Sequence, residues 1–148
     1  MNQNEIMTKI ETIIDESKVG LLATTDQKNC PRVRWMTPAI LPQRGGSIYA
    51  FSDANAMKIQ DIMHQGEVKW LFQTHDLKQV VSARGITHVT TNPSIKNEVM
   101  DLLVSHLTKL WTLNLSHTET VVLETVITEA TYTRPLDNYE ITVVTSYC

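Results

Sequence analysis

The chain has 148 residues, of which 42% are hydrophobic and 20% charged, and this balance excludes disordered, collagenous and low-complexity proteins. Thirteen Lys and Arg residues against 16 Asp and Glu give a formal net charge of −3. Binding to nucleic acid or to an anionic membrane surface is therefore not expected, because both rely on a cationic surface. The length predicts one domain over residues 1–148 that folds without a disulfide or a metal.

Cysteine use and the N-terminal sequence indicate the compartment. Cys30 and Cys148 are too few for a disulfide framework, and inert packing is the expected role of Cys30. Charges are scattered among the apolar positions near the N-terminus, unlike a signal peptide. No stretch reaches the roughly 18–20 apolar residues that a membrane span requires. These features predict a cytoplasmic protein with reduced thiols.

A helix is predicted at the start of the chain. Apolar side chains recur at helical spacing between Ile6 and Ile14, and Asn2 with Glu5 is placed as a capping box. The period then changes to that of β-strands, in two runs at residues 19–25 and 32–36. A polar turn joins the two runs, so a β-hairpin is predicted.

The next segment predicts a strand and a short helix. Pro38 and Pro42 limit strand pairing before a third strand at residues 47–51. A helix is predicted at residues 56–65, because four residues form a broad apolar face. These four residues are Met57, Ile59, Ile62 and Met63. The candidate caps for the helix start are Ser52, Asp53 and Asn55.

The remaining elements are mainly strands. Two runs at residues 68–73 and 80–84 are followed by Gly85, which predicts a bulge, a bend or a close backbone approach before the sheet continues to Thr90. Asn92 and Pro93 open a third helix. Its predicted buried stripe consists of Ile95, Val99, Leu102, Leu103, His106 and Leu110. Two strand-like runs at residues 120–133 and 139–145 close the chain.

This order of elements lacks the alternation of a doubly wound sheet. Six or seven antiparallel strands with about three peripheral helices predict a mainly β, α+β fold, a closed or partly closed barrel. Trp70 and Phe72 are expected in its core or in a dimer interface. Methionines are expected to fill gaps in apolar faces, at Met7, Met36, Met57, Met63 and Met100.

Two places in the sequence are candidates for binding an anion. On the second strand, Arg32 and Arg34 share one face while Val33 and Trp35 share the other. Such an arginine pair either is exposed to solvent or receives a phosphate or another acidic group. At the start of the second helix, free backbone N–H groups bind anions. A hydroxyl such as Ser52 and a cation such as Lys58 would complete a phosphate cradle there.

With these residues in this order, the chain resembles the FMN-binding split-barrel superfamily. It looks most similar to small proteins related to pyridoxamine 5'-phosphate oxidase and to the general stress proteins. The resemblance runs over about residues 5–90, through the strand sequences VGLLAT, PRVRWM, IYAFS, VKWLF and SARG and through Lys58. It implies a split barrel, and it places Gly85 where a side chain would crowd that barrel.

The resemblance also implies a set of cofactor-binding residues. Arg34, or alternatively Arg32, would contact the flavin or its phosphate, and Ser52 and Lys58 would contact the phosphate. The full expected set is Arg32, Arg34, Trp35, Met36, Thr37, Phe51, Ser52 and Lys58. Trp111 is added as a residue that covers the flavin ring or a substrate pocket, with simple packing as its alternative.

The implied function is that of an FMN-binding oxidoreductase. Relatives are homodimers with flavin sites at the interface, which act on a small-molecule substrate or an electron donor such as a reduced nicotinamide. The alternative is a non-catalytic flavin- or ligand-binding protein on the same barrel, either cofactor-free or using deazaflavin or haem. The five histidines never fall at a metal-ligand spacing, so no metal site is expected.

Overall fold

The computed structural model of the chain describes residues 1–42, 44–104 and 120–145, which form three α-helices, eight β-strands and one 3-10 helix. The helices are α1 (Gln3–Ser17), α2 (Met57–His64) and α3 (Pro93–Val104). The strands are β1 (Gly20–Thr25), β2 (Pro31–Met36), β3 (Pro38–Ala39), β4 (Ser47–Asp53), β5 (Glu67–Gln73), β6 (Val80–Thr90), β7 (Thr120–Arg134) and β8 (Tyr139–Val144). The 3-10 helix Pro135–Asp137 joins β7 to β8. The predicted mainly β fold with three helices is confirmed.

The strands form one antiparallel sheet, and the chain itself joins the two ends of that sheet. The strand order is β2-β1-β5-β6-β7-β4-β3, and β8 pairs with the second half of β7. Strands β2 and β3 stand at opposite ends of this order, yet Thr37 alone separates them in sequence. The sheet therefore curls until its ends meet at Thr37, which gives the expected split barrel.

Strand β3 is an addition to the predicted elements. Pro38 is opposite Ala50, and Ala39 is opposite Tyr49, on the outer edge of β4. A proline is compatible with an edge strand because its missing N–H is not needed for pairing on the free side. Two residues are too few to give a strand pattern in the sequence, so β3 is recognisable only from its partner.

Helix α1 packs its apolar face into the barrel, as predicted. The side chain of Asn2 accepts a hydrogen bond from the N–H of Glu5 at 2.9 Å, and Lys18 ends the helix with a φ of 65°. The buried residues of α1 are Ile6, Met7, Ile10, Ile13 and Ile14. They join the main core, where the stacked rings of Trp70 and Phe72 are fully buried. The core position expected for these two aromatic residues is confirmed.

Gly85 lies at a bulge in the middle of β6. The register between β6 and β7 shifts between Arg84 and Gly85, and β6 continues through this bulge to Thr90. A Cβ atom at Gly85 would overlap the carbonyl oxygen of Val126 and would lie 2.8 Å from Cγ2 of Thr125. Both the predicted bulge and the predicted close approach of another backbone are confirmed.

Helix α3 covers the outer face of the sheet and forms a second apolar cluster. The N–H of Ser94 donates to the side chain of Asn92 at 2.9 Å, so the predicted cap is present. The cluster consists of Ala39, Leu41, Tyr49, Phe51, Ile95, Val99 and Val122. The Tyr49 hydroxyl donates to Glu124 at 3.1 Å, and burial together with this carboxylate raises the pKa of Tyr49 to about 12. His106 and Leu110 of the predicted stripe lie outside the described residues.

Two predictions about α2 are wrong. Met57 and Met63 are 63% and 79% exposed, so neither fills a gap in the core. At 100° per residue, the inward face of α2 is centred between Lys58 and Ile62, which leaves both methionines on its flanks. None of the three candidate caps is the N-cap of α2: that residue is Ala56, which has no side-chain cap. Asp53 instead accepts the N–H of Asn55 at 2.9 Å and shapes the preceding turn.

The turn between β1 and β2 carries Cys30, and this thiol is exposed, so the expectation of inert packing is wrong. Asp26 organises the turn by accepting the N–H groups of Cys30 and Lys28 at 2.9 and 2.8 Å. These backbone donors, Cys30 first, lower the pKa of Asp26. Hydrogen bonds to Asp26 thus hold the turn at the surface, where the thiol of Cys30 is exposed. Cys148 lies outside the described residues.

Candidate functional site

A cleft of about 350 Å³ opens beside the seam at Thr37. Its walls come from the end of β2, the end of β4 and the first turn of α2. The lining residues are Val19, Trp35, Met36, Thr37, Phe51, Ser52, Asp53 and Lys58. The volume is at the lower end of the roughly 300–1,000 Å³ that is usual for small-molecule sites.

The closure of the barrel is what brings these walls together. Strand β2 stands at one end of the strand order and β4 next to the other end, so no hydrogen-bonded ladder joins them. Three lining residues belong to β2 or the seam, and three belong to β4. The free edge of β2, the edge facing away from β1, has no strand partner in the described part of the sheet.

Lys58 is the cation of the cleft. Its side chain is half-buried, and among the described residues no carboxylate lies within 4.0 Å of its ammonium group. Desolvation, followed by the positive charge of Arg34, lowers the pKa of Lys58, while Asp53 acts in the opposite direction. A desolvated ammonium group with no carboxylate at ion-pair distance favours the binding of an anion from outside the chain.

Ser52 and Phe51 form the wall that β4 contributes. Ser52 is buried, and its hydroxyl donates to the carbonyl oxygen of Asp53 at 3.1 Å. A hydroxyl rotates to suit a partner, so this group can also donate towards the cleft. Phe51 belongs to the second apolar cluster, so its side of the cleft is apolar.

Arg32 and Arg34 share one face of β2, as predicted, but they do not line the cleft. Arg32 lies 3.5 Å from both Asp26 and Asp61, and Arg34 lies 4.0 Å from Asp61. Arg34 also donates to the hydroxyl of Thr24 at 2.7 Å. The second of the two predicted alternatives applies, because both guanidinium groups pair with acidic groups, and these groups belong to the chain itself.

Asp61 is the residue of this region that sequence reasoning misses. It is 4% exposed and sits on the inward side of α2 beside Ile62. An acidic residue on the apolar face of a short helix, one turn after Lys58, is the signal that would have identified it. Its partners are on β2, and this long-range pairing is not visible in local sequence.

The structure thus divides the predicted site residues into three groups. The cleft brings together Trp35, Met36, Thr37, Phe51, Ser52 and Lys58. Arg32 and Arg34 lie behind the cleft against Asp61, and Arg34 is close enough to Lys58 to affect its pKa. Trp111 lies outside the described residues.

An exposed apolar strip lies on the other face of β2. Val33 and Trp35 are 62% and 68% exposed. Leu21 of β1 is opposite Trp35 in one direction and opposite Leu71 of β5 in the other, and both leucines are half-buried. Trp35 therefore belongs both to this strip and to the cleft. Exposed apolar strips of this kind mark interaction surfaces.

Two classes of site are not found in the described residues. His, Cys, Asp and Glu side chains there form no group of three that could hold a metal ion. None of the described helices is long and apolar enough to cross a membrane.

Fold and cleft define a class: a small split-barrel protein with a cleft of small-molecule size that carries one half-buried lysine. A family model described as pyridoxamine 5'-phosphate oxidase like matches residues 5–133, and the chain belongs to this family. No curated protein matches the chain.

Several solved structures share the fold. General stress protein 26 from Bacillus anthracis has a TM-score of 0.68 at 19% identity, over 93% of this chain and 98% of that one. A pyridoxamine 5'-phosphate oxidase-related, FMN-binding protein from Nostoc punctiforme has a TM-score of 0.70 at 7% identity, over 95% and 96% of the two chains. A haem-binding protein from Mycobacterium smegmatis has a TM-score of 0.72 at 13% identity, over 90% of this chain and 55% of that one. At these identities the likeness shows the fold alone.

Proposed function

We propose that the chain binds FMN in the cleft at the Thr37 seam and acts as an oxidoreductase on a small molecule. The observation that carries this proposal is Lys58, a half-buried cation with no carboxylate within 4.0 Å among the described residues. The phosphate of FMN is a near-dianion at neutral pH, and charge-assisted hydrogen bonds from an ammonium group suit it.

The lining of the cleft fits the other parts of FMN. Ser52 adds a hydroxyl to the same lining as Lys58, and the two would hold the phosphate. Trp35 and Phe51 supply flat apolar walls for a ring system. The free edge of β2 supplies backbone groups for the polar edge of the ring. When bound, FMN supplies hydride or electron transfer, so no protein nucleophile is required.

The relatives divide between flavin and haem, and the lining favours flavin. Family membership and the FMN-binding relative from Nostoc punctiforme support FMN, whereas the Mycobacterium smegmatis relative binds haem. Haem iron usually takes an imidazole or thiolate ligand. Among the described residues, the lining contains a lysine, a serine and an aspartate but neither histidine nor cysteine.

We further propose that two copies of the chain associate through the strip of Val33, Trp35, Leu21 and Leu71. Covering Trp35 and Val33 would remove their large exposed apolar area from water, which favours association. Because Trp35 also lines the cleft, such a homodimer would place each flavin at the interface.

A cytoplasmic location fits the exposed free thiol of Cys30.

The first experiment identifies the cofactor. The protein is purified without added flavin, its visible spectrum is recorded, and the extracted cofactor is analysed by mass spectrometry. A yellow protein that releases FMN supports the proposal, and release of haem or deazaflavin overturns it. A colourless protein that does not take up added FMN also overturns it.

The second experiment tests Lys58. Replacing Lys58→Ala removes one hydrogen bond to a charged group, about 1.5–3 kcal/mol, so the Kd for FMN should rise about tenfold to a hundredfold. Flavin fluorescence quenching measures this Kd, and Lys78→Ala, in the exposed turn after β5, is the matched control. Equal affinities in the two variants would remove Lys58 from the site.

Reduction of the bound flavin by NADH or NADPH then separates an oxidoreductase from a protein that binds flavin without turnover.

A further inference from the structure

Two guanidinium groups share one buried carboxylate behind the cleft. Oδ2 of Asp61 lies 3.5 Å from Nε of Arg32 and 4.0 Å from Nη2 of Arg34. Asp61 is only 4% exposed, so its charge is neutralised mainly by these two groups. Asp26 adds a second carboxylate to Arg32 at 3.5 Å but has no contact of this kind with Arg34.

Arg34 has the weaker pairing with carboxylates of the two arginines, although it also donates to Thr24 and to the carbonyl oxygen of Leu22. Its 4.0 Å contact with Asp61 is longer than a hydrogen bond, and Thr24 connects the two groups. The Thr24 hydroxyl accepts from Arg34 at 2.7 Å and lies 3.5 Å from Oδ2 of Asp61. The Arg34 side chain keeps 22% of its surface exposed. Arg34 is thus more buried than Arg32, whose side chain is 36% exposed, but it has the longer contact with Asp61 and no second carboxylate.

Arg34 and Lys58 are electrically coupled. The charge of Arg34 lowers the pKa of Lys58, and desolvation lowers the pKa of Arg34 itself while Asp61 acts against that change. Of the three cations in this region, Asp61 pairs with Arg32 and Arg34. Lys58 is the one of the three that lines the cleft; Asp53 acts on its charge, but no carboxylate of the described residues lies within 4.0 Å of its ammonium group.

We propose that Asp61 is an internal counter-anion of the cleft: it holds Arg32 and Arg34 while no anion is bound, and a phosphate-bearing ligand binds by taking Arg34 from it. This proposal deepens the proposed function and rests on it for the phosphate group of the ligand. Asp61 thereby limits the affinity of the cleft for anions, because each binding event must separate Arg34 from its carboxylate. A residue that merely positioned the arginines would have the opposite effect when removed.

The direct test is the substitution Asp61→Asn, with Asp26→Asn as the matched control. Asp26 also pairs with Arg32, but it lies in the β1–β2 turn and does not touch Arg34. Affinities for inorganic phosphate are measured by calorimetry and those for FMN by fluorescence quenching, each at low and at high salt. In Asp61→Asn we expect both ligands to bind about fivefold more tightly or better, with a steeper loss in salt, because Arg34 is free to join Lys58. Asp26→Asn should change either affinity less than about twofold.

Unchanged or weaker phosphate binding in a folded Asp61→Asn protein overturns the proposal. If this variant does not fold, the wild-type protein decides. The Nε–Hε NMR signal of Arg34, assigned with Arg34→Gln, should shift on titration with phosphate while that of the exposed Arg84 stays in place. An Arg34 signal that does not move at saturating phosphate overturns the proposal.

Measurements with inorganic phosphate and with FMN distinguish the failure of the FMN assignment from the failure of the counter-anion role of Asp61. If phosphate shows the expected pattern and FMN does not bind at all, the FMN assignment fails and the counter-anion role stands. If FMN binds to the wild type and Asp61→Asn does not tighten it, the counter-anion role fails and the FMN assignment stands.

Discussion

Replacing Gly85→Ala should destabilise the barrel more than any comparable change at a surface glycine. The added methyl group would overlap the carbonyl oxygen of Val126 and would lie 2.8 Å from Cγ2 of Thr125 and 3.0 Å from the carbonyl carbon of Val126. Two of these three neighbours are backbone atoms of β7, which is paired with β6 on one edge and with β4 and β8 on the other. The backbone of so central a strand cannot move aside without disturbing several ladders.

The magnitude follows from the kind of neighbour. Overpacking a core costs about 1–3 kcal/mol, and contacts with fixed backbone place Gly85→Ala at about 3 kcal/mol. For a chain of this size each kcal/mol lowers Tm by about 2–4 °C, so a decrease of about 6–12 °C is expected. Thermal unfolding followed by circular dichroism measures this decrease.

Gly45→Ala is the matched control for this substitution. A Cβ atom at Gly45 meets nothing within 4 Å, so this change should leave Tm the same or raise it slightly. Equal Tm values for the two variants would refute the packing argument at the bulge.

Three further predictions concern the surface, the core and the cleft. Val33→Glu puts a charge on the exposed strip and should shift the protein to a monomer in sedimentation velocity, with weaker flavin binding; an intact dimer would contradict the proposed interface. Tyr49 has a pKa raised from 10.0 to about 12, so the unfolded phenol ionises first. Stability should therefore be intact below about pH 10 and fall by up to about 2–3 kcal/mol as the pH rises to 12, a fall that Tyr49→Phe should lack in urea unfolding. The lowered pKa of Lys58 predicts that phosphate affinity declines on alkalinisation before an ordinary lysine would titrate, and Lys58→Arg, which stays charged, should remove that early decline in calorimetric titrations.

Local periodicity in the sequence is enough to predict most of the fold. Helix α1 with its Asn2 cap, the hairpin of β1 and β2, and the bulge at Gly85 all depend on residues close together in the chain. The same applies to the alternation that separates Arg32 and Arg34 from Val33 and Trp35 on β2. Such features are readable because neighbouring residues determine them.

The parts that sequence reasoning does not reach depend on contacts between distant residues. Strand β3 exists only because β4 lies beside it, and Asp61 is buried only because β2 presents two arginines to α2. The apolar face of α2 is mispredicted for the same reason, since Met57 is exposed and Asp61 is buried once the helix is docked. Six of the cleft residues, Lys58 among them, could be predicted, but the pairing of Arg32 and Arg34 with Asp61 outside the cleft lining could not.

Because one residue, Thr37, separates β2 from β3, ligand binding in the cleft depends on closure of the whole barrel. A ligand in the cleft touches β2 at one end of the strand order and β4 next to the other end, so its binding site is complete only when the strands between them are assembled. A ligand at one hundred times its Kd stabilises the folded state by about 2.7 kcal/mol. Because the binding walls exist only in the closed barrel, that energy opposes the parting of the two sheet ends, and it slows amide exchange in strands that the ligand never touches.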